Sequence, residues 1–169
     1  MEEQVDVVDD HDNVLHPVSK TTAHKEGLLH RTVISQYINN QREWVLVRQA
    51  SDRQDAGQFV SPTGGHAQAG ESEDEALKRE ALEEMGVDVV DFKLIGKKIF
   101  RRTVGWKDEN HYFVVYEVFG EKDPILNEES VEWKRFTEDQ LKSELRNNPD
   151  MFGAAFHVVI DEFYPHLKS

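Results

Sequence analysis

Residues 65–87 read GHAQAGESEDEALKREALEEMGV, which sets Gly65, Glu71, Arg79, Glu80, Glu83, Glu84 and Gly86 in the order G-x5-E-x7-R-E-x-x-E-E-x-G. Ser72 followed three residues later by Glu75 is a capping box, so a helix starts there at a defined residue. Gly86 ends it, because glycine takes a left-handed cap without a Cβ penalty. Within the predicted helix 72–85, Glu83 and Glu84 lie about −60° and +40° from Glu80, so the three carboxylates share an arc of roughly 100°. Like charges at this spacing cost about 0.2–0.5 kcal/mol per pair and sit at the negative end of the helix dipole. Helix stability alone does not select such a face. A hard divalent cation, bound by oxygen ligands, reverses the sign of that energy, and Arg79 is placed to hold Glu83 at i,i+4. An acidic helix face standing alone is most simply a solvated surface. The glycine, Glu71 and Arg79 at fixed offsets argue for a cation site instead.

Working outward, β-branched and aromatic runs predict strands at 31–38, 44–49, 92–101, 111–119 and 131–136. The first two flank NNQRE and read as a hairpin. Further helices are predicted at 137–146 and, after Pro149, at 153–164. Many strands interrupted by few helices point to an α/β chain folded as an α/β/α sandwich with a mixed β-sheet. With no Pro/Gly/Ser-rich linker or internal repeat, residues 1–169 are expected to form a single domain, of which the polar stretch 1–27 is only partly ordered.

Twenty basic against 33 acidic residues give a net charge of −13, which opposes a partner held by its phosphate backbone, so no nucleic acid is expected. Cysteine is absent, which removes disulfides, thiolate metal sites and a cysteine nucleophile. No run of ~18 apolar residues and no basic-then-apolar leader is found, so the expectation is a cytoplasmic protein without a membrane partner.

The spacing of residues 65–86 resembles the signature of the Nudix hydrolases, with every diagnostic position filled. The resemblance implies a Nudix-type sandwich that hydrolyses a diphosphate linked to an organic group, with Mg²⁺ (or Mn²⁺) as cofactor. It places metal on Glu80, Glu83, Glu84 and the backbone of Gly65, gives Arg79 the task of orienting the carboxylates, and makes Glu83 the first choice of general base, with Glu128 and Glu129 as rivals. Physically, Mg²⁺ offsets the diphosphate charge while a carboxylate takes the proton of an attacking water. Gly64 and Gly65 are read as a sharp turn approaching ligand or metal.

SPTGGHAQAGES and the upstream HKEGLLHR are similar to the corresponding stretches of isopentenyl diphosphate isomerase, a Nudix-fold enzyme, over roughly residues 5–120. There a cysteine precedes the glycine–histidine pair and transfers the proton; here that slot is Gly64. The complete R-E-x-x-E-E and the missing cysteine favour hydrolysis. The isomerase's histidine and glutamate metal site would correspond to His24, His30, His66, Glu109 and His111, suited to Zn²⁺ or Mn²⁺, although His24 and His30 stand about one residue closer together and a histidine occupies 111 where the isomerases use glutamate. Arg48, Arg53, Arg101, Arg102 and Lys107 lie on or beside predicted strands where a guanidinium fork or an ammonium can meet phosphate, and of these Arg48 and Arg101, with His66, are the expected substrate contacts. The expected partner is a small-molecule diphosphate, a nucleoside diphosphate derivative or another small organic diphosphate, and a homodimer is left open. Two alternatives are an isomerase acting on prenyl diphosphates and a non-catalytic Nudix-fold ligand-binding module.

Overall fold

The computed structural model describes residues 2–169. The chain runs β1 (Gln4–Val8), β2 (Val14–Ser19), α1 (Lys20–Glu26), β3 (His30–Ile38), β4 (Trp44–Gln49), β5 (Phe59–Val60), β6 (Thr63–His66), α2 (Glu73–Met85), β7 (Asp91–Val104), β8 (Lys107–Phe119), β9 (Ser130–Phe136), α3 (Glu138–Asn147) and α4 (Ala154–Phe163). All these strands join one curled mixed sheet organised around β3. Along one edge β3 pairs parallel with β8, from His30 opposite His111 to Ile38 opposite Phe119. Along the other it pairs antiparallel with β6, Thr32 opposite His66 and Ser35 opposite Thr63.

Alternation along β3 divides the core. Val33 and Tyr37 face α2, where Ala76, Leu77, Ala81 and Met85 pack on them. Ile34 and Ile38 face α3 and α4, meeting Leu141, Phe156 and Ile160. Successive strand side chains point to opposite faces, so each face of a central strand takes its own helix layer. The result is the expected α/β/α sandwich.

Three expectations need correction. The hairpin around NNQRE forms only at its turn, where Tyr37 pairs with Val45 and Ile38 with Trp44. Beyond it the strands part, and β4 pairs with β9 and β5. Residues 1–27 are not loosely ordered where described: Val5, Val7 and Val8 of β1 are buried. α1 is capped by the Ser19 side chain and closed by Gly27 at φ 67°. The polar residues are ordered by ion pairing, since Asp12 accepts from Arg31 at 2.7 Å and Lys97 joins both Asp12 and Glu73. Gly64 and Gly65 lie inside β6 rather than in a turn.

Candidate active site

α2 carries its chemistry on its last turns. Its capping box is present as the sequence requires, with Ser72 Oγ accepting from Glu75 N–H, and Gly86 closes it at φ 64°. The spacing predicts three carboxylates in one arc, and packing against β6 then distinguishes them. Glu80 is 8% exposed. Glu84 accepts a hydrogen bond from Gly64 N–H at 2.9 Å. Glu83 sits at the rim, with its side chain 55% exposed and 3.4 Å from Arg79.

Gly65 is required for a specific reason: a Cβ built there falls inside contact distance of all three atoms of the Glu80 carboxylate, whereas one at Gly64 meets nothing within 4 Å. Arg79 then fixes the cluster. Its guanidinium donates to Glu71 at 2.7 and 3.0 Å, to Glu80 at 2.7 Å and to the His66 carbonyl at 3.0 Å. Burial raises the pKa of Glu80, and burial followed by repulsion from Glu80 holds that of Glu84 well above the usual carboxylate range, with Glu129 adding to the effect. Burial and mutual repulsion disfavour the charged forms of Glu80 and Glu84 even with Arg79 beside them, and a divalent cation would offset that cost.

Across β6 the sheet assembles a second cluster. His24 from α1, His30 from β3, His66 from β6 and His111 from β8 place ligand atoms within 4.8 Å of one another. Backbone register does this, since His30 stands opposite His111 while His66, opposite Thr32 on the other edge, lies two residues along and so on the same face. Burial keeps the imidazoles neutral, lowering His30 to about 4 and His111 to about 2, with the same direction for His24 and His66. His30 Nδ1 is 2.8 Å from the Leu28 carbonyl, which leaves its Nε2 facing the cluster. The Nε2 atoms of His30 and His66 are buried without a hydrogen-bond partner among the described residues. Neutral imidazoles with free, inward-facing nitrogens are the donor set of a borderline metal ion such as Zn²⁺. Glu109 does not close this set: its carboxylate lies 3.6 Å from Arg102 and 3.9 Å from His111.

Both clusters open on one cavity of about 740 Å³. Its lining includes Glu80, Glu83 and Glu84, then His66, His111 and Glu109, and on the α4 side Ile34, Phe100, Phe113 and Phe156. Eight carboxylates and four cations face it, so an anionic ligand needs added positive charge. Two expected substrate contacts lie elsewhere. Arg48 pairs with Glu132 at 3.0 Å and Arg101 with Asp108 at 2.7 Å, and neither lines the cavity. Arg53 and Arg102 do line it. Adjacent residues on a strand point to opposite faces, so Arg101 and Arg102 cannot both face the cavity, and the pairing of β7 with β8 turns Arg102 toward it.

Among the described residues no helix is long and apolar enough to cross a membrane. The isopentenyl-diphosphate Delta-isomerase 2 of Aromatoleum aromaticum is 31% identical over 165 residues, covering 95% of this chain and 86% of that protein. An uncharacterized Nudix hydrolase from a Nostoc species is 26% identical over 129 residues, 75% of each chain. A crystal structure from Deinococcus radiodurans superposes with a TM-score of 0.75 at 20% identity, covering 96% of this chain and 99% of that one, which shows the fold. The NUDIX domain model matches residues 28–156, and on that match, with the helix, Arg79 clamp and sandwich described above, the chain belongs to the Nudix family.

Proposed function

We propose that this protein is a divalent-cation-dependent hydrolase that cleaves a phosphoanhydride bond in a small organic diphosphate, a nucleoside diphosphate derivative among them. The observation that carries this reading is the convergence of Glu80 and Glu84 on the Gly64–Gly65 edge of the cavity, held by Arg79. Glu80, Glu83 and Glu84, with the Gly65 backbone, would hold Mg²⁺ or Mn²⁺, which on binding offsets the diphosphate charge and polarises phosphorus. Arg79 keeps Glu80 turned into the cavity while Glu71 takes the rest of its fork. Glu83, exposed at the rim and only 3.4 Å from Arg79, is the carboxylate placed to accept a proton from water. Glu129, in contact with Glu84, is its rival. His66 stands between the two clusters and is the histidine placed to meet ligand. The histidine cluster would hold a second ion, of the Zn²⁺ type.

The test is a screen of organic diphosphates with Mg²⁺, scored for release of phosphate or a monophosphate. No release from nucleoside or prenyl diphosphates refutes the hydrolase reading and leaves the isomerase and the binding module. Full activity in Glu83→Gln removes Glu83 from the role of base and leaves Glu128 and Glu129 as candidates.

A second reading, an isomerase of prenyl diphosphates, is favoured by the assembled histidine cluster and by the relative's name. It is opposed by Gly64, which offers no acid or base. Conversion of isopentenyl diphosphate without phosphate release would establish it.

A further inference from the structure

The segment 50–58 joins β4 to β5 along the cavity and contributes Arg53 and Asp55 to its lining. It is tied at three points. Arg53 Nη2 lies 2.6 Å from Glu129, on the loop that faces Glu84. Asp55 lies 3.9 Å from Arg102 on β7. Between these, the Gln54 amide, oriented to satisfy both neighbours, donates to Glu109 at 2.8 Å and accepts from Arg102. Arg102 also stacks over Phe100, its guanidinium carbon 5.7 Å from the ring centre, which aims it along the cavity wall.

The four cavity cations are not equivalent. Arg79 spends its donors on Glu71, Glu80 and the His66 carbonyl. Lys20, 3.7 Å from Glu3, stands on the side of the histidine cluster. Arg53 and Arg102 remain, and their partners are exchangeable. The Arg53 side chain is 45% exposed and its one ion pair is of the weak, solvated kind. Arg102 reaches its carboxylates only at 3.6 and 3.9 Å, beyond hydrogen-bonding distance. A guanidinium prefers the bidentate fit of a phosphate to such contacts. Each carboxylate so released faces a cluster: Glu129 lies beside Glu84, and Glu109 is 3.9 Å from His111.

We propose that Arg53 and Arg102 are the diphosphate clamp of this cavity, held in the free protein by Glu129 and by Gln54 beside Glu109, and handed to the phosphate oxygens when a diphosphate enters. The inference rests on the diphosphate reading above. It makes the segment 50–58 the element that closes on ligand, and it makes anion binding and cation binding mutually supporting, since the released carboxylates turn to the cation clusters.

Calorimetric titration of the full chain with methylenediphosphonate and Mg²⁺ tests it, because that P–C–P compound binds without being hydrolysed. Arg53→Gln and Arg102→Gln are each expected to weaken binding about 10-fold or more, the size of a lost charged hydrogen bond, while Arg48→Gln and Arg101→Gln stay within about twofold. Removing Arg102 leaves Glu109 buried without a charge partner, so Arg102→Gln/Glu109→Gln is included; it should fold as the wild type does and still bind weakly. Wild-type affinity in both single variants, or no binding by the wild type at millimolar ligand, overturns the proposal. Arginine-dependent binding without turnover of any diphosphate keeps the clamp and refutes the hydrolase. Turnover whose KM ignores both arginines does the reverse.

Discussion

Gly64 and Gly65 are adjacent on one strand, and the structure assigns them opposite sensitivities to a single methyl group. A Cβ at position 65 collides with the Glu80 carboxylate; at position 64 it meets nothing within 4 Å. Glu80 is 8% exposed and bonded to Arg79, so Gly65→Ala turns that carboxylate out of the cluster rather than shifting it slightly. The metal-free fold responds to opposed effects, a lost charged hydrogen bond against the relief of a buried anion, and its melting temperature is a poor readout. The cation-dependent gain is a better one. A ligand at 100 times its Kd stabilises by about 2.7 kcal/mol, and a tenfold weaker site at the same concentration by about 1.4 kcal/mol. The difference, about 1.3 kcal/mol, is roughly 3–5 °C in Tm for a chain of this size. Thermal melts of wild type, Gly64→Ala and Gly65→Ala with and without Mn²⁺ measure it. The reasoning fails if Gly65→Ala keeps the wild-type Mn²⁺ increment, or if Gly64→Ala loses as much.

Other outcomes follow from the same geometry. Glu84→Gln removes a carboxylate whose pKa burial and Glu80 hold well above its usual value, so the cation-free protein should gain stability in urea while its Mg²⁺ increment disappears. Arg79→Lys keeps the charge but cannot span Glu71, Glu80 and the His66 carbonyl; a loss of about 2–3 kcal/mol in chemical denaturation and at least tenfold weaker cation binding are expected. Acid should weaken the histidine cluster: His30 titrates near 4 and His111 near 2 in the fold, against 6.5, so the unfolded chain takes up protons first. Their contribution is complete above about pH 6.5 and falls with pH, by up to about 1.4 kcal/mol each at about pH 5.5. Because Glu84 titrates in the opposite sense, the comparison is wild type against His30→Gln/His111→Gln, whose stabilities should converge as pH drops from 7.5 to about 5.5. Parallel curves would contradict the shifts.

The helix that matters most was legible from local chemistry. Ser72 and Glu75 cap one end, Gly86 the other, and these signals act within a few residues, so they survive any tertiary arrangement. Strands β3, β4, β7, β8 and β9 were legible for a similar reason, since β-branched and aromatic runs mark them, whereas β1 and β2 lie in the polar stretch 1–27 and were not. Nor were β5 and β6, because runs of two and four residues carry no periodic signal and are strands only by pairing with β4 and β3. α1 was not expected either: a seven-residue helix in a polar stretch has little apolar periodicity, and its Ser19 and Gly27 caps are evident only in the structure.

The same division runs through the site. By itself the sequence determined that three glutamates share one face of a capped helix, that an arginine stands beside them, and that no thiol is available, because helical period and composition are local properties. Only the tertiary structure decided that Glu80 and Glu84 turn inward while Glu83 stays at the rim. It also decided that four histidines from four different elements meet, and that Arg53 and Arg102, rather than Arg48 and Arg101, face the cavity. The glutamates depend on how α2 packs against β6, and Arg53 on the path of the segment 50–58. The strand histidines, Arg48, Arg101 and Arg102 depend on strand register, and a shift of one residue there would turn each to the other face.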